Sequence, residues 1–99
     1  MISIGNNNIM VFHTPGHTPG HVTFYAEEIQ AAFCGDLIFY HGVGRTDLNG
    51  SDFYKLKNSI IEKIYTLPPD TILYNGHGQP TTVIEEINNN PFIKKEGNY

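Results

Sequence analysis

One cysteine, no tryptophan and only six basic residues set the first limits on this chain. A lone thiol, Cys34, excludes an internal disulfide and suits a reducing compartment, so the expected location is cytoplasmic. With Phe33 before it and Gly35-Asp36 after it, Cys34 reads as a small buried residue rather than a nucleophile. Six Lys and Arg against ten Asp and Glu leave a net charge of −4. No basic stripe is present to meet phosphates, which excludes a nucleic-acid surface. The pair Lys94-Lys95 is too little for a polybasic anchor. No apolar run approaches the roughly 20 residues of a membrane span. The start, Met1-Ile-Ser-Ile-Gly5, lacks the charged and apolar regions of a signal peptide. A Gly-x-Ser-x-Gly elbow is also missing, and Gly42-Val-Gly44 is followed by no lysine in the register of a phosphate loop.

What is present reads as one globular domain over residues 1–99. At 99 residues, 39% hydrophobic and 16% charged, the chain is long enough for a core of its own. Ile9–Phe12, His21–Tyr25, Ala31–Cys34 and Thr71–Tyr74 are short runs rich in β-branched and aromatic residues, each closed by Gly, Pro or a polar turn. Leu37–Tyr40 carries apolar character into a Gly-rich loop from Gly42 to Gly50. Ser51 or Asp52 can cap a helix whose stripe is Phe53, Leu56, Ile60, Ile64 and Leu67, ended by Pro68-Pro69. Thr82 and Glu85 form a capping-box pattern for a short last helix that Pro91 terminates, with a loose tail from Lys94. The two asparagine triplets read as solvated surface. The fold class is α/β or α+β: three strands, then helix, strand, helix.

Chemistry-bearing residues gather where strands stop. His17 stands between two Pro-Gly pairs in His13-Thr-Pro-Gly-His17-Thr-Pro-Gly-His21, a stiff loop after a strand. Asp36 follows a strand and a glycine. His77 lies between Gly76 and Gly78, where glycine permits close approach or positive φ. Two imidazoles and a carboxylate make a divalent-metal site if the turns converge. Each also has a plain alternative: a turn histidine bonded to backbone, a turn-capping carboxylate, a simple glycine turn. His21 opens a strand and can orient a ligand from behind. His13 can close the strand end, and His41 can face solvent or substrate. Arg45 and Asp47 form a loop-shaping ion pair, or Arg45 steers an anionic substrate.

Taken together, Thr14-Pro-Gly-His17-Thr-Pro-Gly-His21, Gly35-Asp36-x-x-Phe39, Gly44-Arg-Thr-Asp47-Leu48, Gly76-His77-Gly78, Thr81-Thr82, Glu85 and Asn90-Pro91-Phe92 resemble the metallo-β-lactamase-fold hydrolases. The similarity runs from about residue 9 to 93 and is strongest to the glyoxalase II-like, or hydroxyacylglutathione hydrolase-like, branch. The resemblance implies half of an αββα sandwich, with His17 a terminal ligand of one metal, Asp36 a carboxylate bridging two, and His77 a terminal ligand of the second. It places His21, Arg45 and Asp47 beside the site as supporting or substrate residues. The implied reaction is hydrolysis of a thioester or related carbonyl by metal-bound hydroxide, with one or two zinc ions, or iron.

The departure is as informative as the match. The family's His-x-His-x-Asp-His segment, which carries the remaining ligands, has no counterpart here, so the chain resembles the C-terminal half of the fold. The expectation is therefore a metal-dependent hydrolase half that is inactive alone. Its small-molecule site would be completed by an N-terminal half, or imitated by a homodimer. Two alternatives carry their own signatures: a non-catalytic metal-binding or self-associating module, and an iron-dependent persulfide dioxygenase-like protein. The hydrolase-half reading further predicts an exposed apolar sheet face where the missing half would pack.

Overall fold

The computed structural model describes residues 2–4, 7–47, 50–76 and 78–93. Strands β1 (Ile2–Ile4), β2 (Asn7–His13), β3 (Val22–Ala26), β4 (Ala31–Gly35), β7 (Ile72–Asn75) and β8 (Thr81–Thr82) form one sheet in the order β1-β2-β3-β4-β7-β8. All neighbours are antiparallel except β4 and β7, which run in parallel. The sheet is mixed, and the two helices α1 (Phe53–Ser59) and α2 (Val83–Asn89) complete the α/β class. A small hairpin, β5 (Ile38–Phe39) with β6 (Gly42–Val43), stands apart from the sheet. The sequence pattern showed Leu37–Tyr40 as apolar but gave no sign that it folds back on itself.

Alternation along the strands sorts the two sheet faces. Tyr25, Ala32, Cys34 and Leu73 are buried with Leu37 and Ile38, and Met10 and Phe12 pack against them. Helix residues Leu56, Ile60, Ile64 and Val83, with Ile93 beyond the last helix, close this core from one side. The predicted stripe therefore holds for Leu56, Ile60 and Ile64, all fully buried, whereas Phe53 at its start is 38% exposed. Asp52 is the cap, its carboxylate accepting from the amides of Tyr54 and Lys55.

Beyond Ser59 the helix widens into a π-turn, Ile60–Ile64, and the Tyr65 amide donates to the Ile60 carbonyl at 2.8 Å. Steps of four residues overshoot an α-helical turn by about 40° each. The wider turn offsets that drift and keeps Ile60 and Ile64 in the core.

The opposite sheet face is different. Val11 is paired with Phe24, Phe24 with Phe33 and Phe33 with Tyr74, one continuous row across four strands. All four are about two-fifths exposed. An apolar row of this kind is the open sheet face expected of one half of a sandwich.

The β4–β7 ladder contains one irregularity. Phe33 pairs with Tyr74, but Gly35, not Cys34, pairs with Asn75. The surplus residue is a bulge at the end of β4.

The Asn88–Asn90 triplet corrects one expectation. Asn90 is buried, and its side-chain oxygen accepts from the amides of Phe92 and Ile93 while its nitrogen donates to Glu86. Of this triplet, solvated surface describes Asn88 and Asn89; the side chains of Asn6–Asn8 lie outside the described residues. The capping box forms by half: Thr82 Oγ1 accepts from the Glu85 amide, but the Glu85 carboxylate turns to Asn89 and His41. The expected loose tail from Lys94 lies outside the described residues.

Candidate functional site

Strands β2, β4 and β7 all run the same way, so their C-terminal ends share one edge of the sheet. The loop that carries His17 leaves β2 there, Asp36 leaves β4, and Asn75-Gly76 leaves β7. Sites commonly form at such strand ends, because short turns on a stiff sheet hold side chains in place.

The His17 loop is seated on α1. The amide of Asp52 donates to the Gly16 carbonyl at 2.8 Å, the Ser59 hydroxyl to the Pro15 carbonyl and the Ser51 hydroxyl to the His17 carbonyl, both at 2.7 Å. Gly16 has φ +149°, and a Cβ there would run into the Leu56 backbone. Only glycine lets this loop lie flat on the helix. His13, four residues earlier, closes the loop through a 2.9 Å bond between Nε2 and the Pro19 carbonyl.

His17 Nδ1 lies 2.9 Å from the Arg45 carbonyl. A carbonyl can only accept, so Nδ1 carries the proton and Nε2 is the unprotonated nitrogen of the neutral ring. Nε2 lies 3.5 Å from Asp36 Oδ2. Gly76 lies alongside, where a Cβ would stand 3.1 Å from Asp36 Oδ1, and its amide donates to the Gly35 carbonyl. The turn that leads to His77 thus reaches the Asp36 carboxylate. His77 itself lies outside the described residues, and among those described no three His, Cys, Asp or Glu side chains are grouped as a metal cluster.

His21 stands behind this pair. Its Nδ1 is 3.1 Å from the Thr14 hydroxyl, and its Nε2 lies against Gly35. Burial, and then the neighbouring His17, hold its pKa below the ordinary 6.5, with Asp36 pulling the other way.

Arg45 and Asp47 form a two-pronged pair, Nε to Oδ1 at 2.7 Å and Nη2 to Oδ2 at 3.1 Å, largely in solvent. The loop-shaping reading therefore describes what they do here. His41 does not stand in the site: its ring stacks on Tyr40 and its Nε2 is 2.7 Å from Glu85 Oε2. Cys34 is fully buried, and desolvation pushes its thiol up to about 12, as expected for an inert residue.

A recess of about 270 Å³ opens between His17, Asp36, Phe39, Val43, Gly44 and Arg45. Phe39 also walls a second recess of about 310 Å³ with Tyr40, Asn75, Gly78 and Gln79. The hairpin β5–β6 therefore supplies much of the site's wall, which the sequence pattern did not indicate. Also missed was Glu86, a fully buried carboxylate in α2. Its signal was available: Val83, Glu86 and Asn90 share one face of a short helix, so an acid sits where an apolar residue is expected.

The Metallo-beta-lactamase superfamily model, Lactamase_B, matches residues 2–77. The chain belongs to the metallo-β-lactamase superfamily. Within it, the chain is 41% identical over 92 residues to the "Probable metallo-hydrolase YqgX" of Bacillus subtilis, and 40% over 96 residues to the "Hydroxyacylglutathione hydrolase GloC" of Haemophilus influenzae. These matches cover 93% and 97% of this chain but 44% and 45% of those proteins. The fold agrees with solved structures. The BLEG-1 B3 metallo-beta-lactamase superposes with TM-score 0.90 at 46% identity, over 93% of this chain and 44% of its own. A di-iron-bound form of TTHA1623 gives 0.82 at 46%, over 86% and 42%. ETHE1 from Myxococcus xanthus gives 0.85 at 31%, over 91% and 41%. The chain thus spans less than half the length of the relatives it matches. Among the described residues, no helix is long and apolar enough to cross a membrane.

Proposed function

We propose that this chain contributes one half of a metal-dependent hydrolase centre for thioester or related carbonyl substrates. A second half, packed on the open sheet face, would complete it. His17 and Asp36, with His77, are the residues assigned to hold metal.

The observation that carries this reading is the pairing of His17 Nε2 with Asp36 Oδ2 at 3.5 Å, while Nδ1–H is held by the Arg45 carbonyl. Two atoms bound to one tetrahedral zinc at its usual bond lengths stand about 3.4 Å apart. The pair therefore fits one edge of such a site, and the Arg45 carbonyl gives His17 the tautomer a ligand needs. When bound, the metal would polarise a carbonyl and lower the pKa of a water molecule.

The chain's own residues do the rest. Ser51 and α1 hold the His17 loop in place, and Asp36 is fixed by the end of β4. Phe39 and Val43 line the recess where the acyl part of a substrate would lie and keep bulk water from one side. Arg45, at the mouth, can meet an anionic group if it exchanges Asp47 for substrate. The relatives support a hydrolase of this class, since one bears the name of a hydroxyacylglutathione hydrolase. An iron centre is supported by the di-iron-bound neighbour and, for a dioxygenase-like reaction, by the likeness to ETHE1.

The test is metal content by mass spectrometry together with light scattering. It is run on the chain alone and on the chain mixed with a separately made N-terminal half of a relative such as YqgX. The expected result is zinc or iron bound in the mixture, lost in His17→Ala and Asp36→Ala, with cleavage of a hydroxyacylglutathione thioester. Metal retained in both variants would overturn the ligand assignment. A loaded complex that leaves thioesters intact would leave the metal-binding module as the correct reading. A loaded dimer of this chain alone would replace the second half by a second copy.

A further inference from the structure

The buried Glu86 lies away from the recess, yet its bonds lead to it. Oε1 accepts from the His41 amide and from Asn90 Nδ2, both at 2.9 Å, and Oε2 accepts from the Thr81 hydroxyl at 2.6 Å. A carboxylate with no solvent exposure is retained only if its oxygens are well satisfied, and three donors do so here. Asn90 extends the connection by donating to the Gly42 carbonyl at 3.2 Å. Glu86 and Asn90 therefore grip two successive residues of the β5–β6 hairpin, His41 in its turn and Gly42 at the start of β6.

That turn needs a grip. His41 has φ +57°, a left-handed conformation that is unfavourable for a non-glycine residue. Phe39 pairs with Gly42 across the turn, so position 41 is where many two-residue turns place glycine. The bond from the His41 amide to Glu86, with the ring of His41 against Glu85, offsets that cost.

From the hairpin the chain runs directly to the candidate ligands. The Gly44 amide donates to the Leu37 carbonyl at 3.1 Å. Gly44 lies so close that a Cβ would overlap the Asp36 carbonyl and stand 3.2 Å from His17 Cβ. The next residue, Arg45, offers the carbonyl that fixes the His17 ring.

We propose that Glu86 is a positioning residue: through the His41 amide it sets the hairpin, and through the Arg45 carbonyl the hairpin sets the His17 tautomer. This deepens the metal-centre reading and rests on His17 being a ligand. It acts without touching substrate or metal.

The test needs neither metal nor turnover, so its failure is separable from a failure of the hydrolase reading. Long-range proton–nitrogen NMR on the full 99-residue chain, with chelator present at pH 7.5, reads the tautomer of His17 directly. The wild type should show the Nδ1–H form. Glu86→Leu, which keeps bulk but loses all three acceptor bonds, should mix the two tautomers. It should also speed amide exchange at Val43 and Gly44 at least tenfold. Glu86→Gln keeps an oxygen for His41 and Asn90 and should restore the wild-type signature. His41→Gly keeps the amide and suits the left-handed turn, so it too should retain Nδ1–H. A folded Glu86→Leu with the unaltered tautomer overturns the proposal. If that variant fails to fold, the wild-type chain still decides. The His41 amide should be protected to the level of the Asn90 amide, and free exchange there overturns the proposal.

Discussion

Phe33 and Tyr74 stack on neighbouring parallel strands with ring centroids 5.4 Å apart and planes 14° from parallel. Both belong to the exposed row, and the order of their rings suits a face built to be covered. Burying such rings stabilises by about 25 cal/mol per Å² of apolar surface removed from water. The chain alone should therefore bind a hydrophobic dye and run in light scattering above the mass of one copy. Phe33→Ser should reduce both while leaving the helix signal in circular dichroism intact. A wild-type chain that is monomeric and dye-silent would show that the row needs no cover.

Gly16→Ala should be among the most damaging single changes. Alanine at φ +149° is strained, and its Cβ would overlap the Leu56 backbone. The two effects together should cost on the order of 3 kcal/mol or more. Urea denaturation measures this. A loss under 1 kcal/mol would mean that the loop can lift off α1.

Acid should weaken the chain through His21. Its folded pKa lies below the ordinary 6.5 because burial and His17 disfavour the charged ring. Protons then bind the unfolded chain more readily, so this contribution is complete above pH 6.5 and lost as pH falls below it. Urea midpoints with chelator present should drop between pH 7.5 and 5.5, and the drop should shrink in His21→Gln. An equal drop in both proteins would assign the effect to other groups.

Cys34 should resist thiol reagents in the native state. Full burial and a thiol pushed up to about 12 leave almost no thiolate at neutral pH. A disulfide reagent should label it at the rate of global unfolding, and immediately in denaturant. Rapid native labelling would show that the end of β4 opens locally.

How much of this was legible in the sequence depends on the kind of signal. Leu56, Ile60 and Ile64 announce a buried face by spacing, and the strands announce themselves by β-branched and aromatic runs. The Pro-Gly pairs around His17 mark a stiff loop, but not the surface that holds it. That surface, the backbone of Leu56, is a contact between residues 40 apart. The hairpin at Phe39–Gly42 stayed hidden because its turn places a histidine where glycine is expected, and the compensating carboxylate sits 45 residues away. The bulge at Cys34 leaves no mark in composition at all. Motif resemblance supplied the family, whereas periodicity and turn chemistry supplied the elements.

That bulge has a consequence for how this sequence can change. In an unbroken ladder Cys34 would stand opposite Asn75, and Asp36 would lie level with residue 77. The surplus residue instead sets Asp36 back one step, about 3.3 Å, level with Gly76. The two turns are thus in phase by a miscount. Deleting the surplus residue from β4 should straighten the ladder and keep Asp36 level with Gly76, whereas deleting one from β7 should leave two surplus residues in β4 and throw the turns out of step. Strand length can therefore drift by one residue in β4, where the bulge absorbs it, but not in β7.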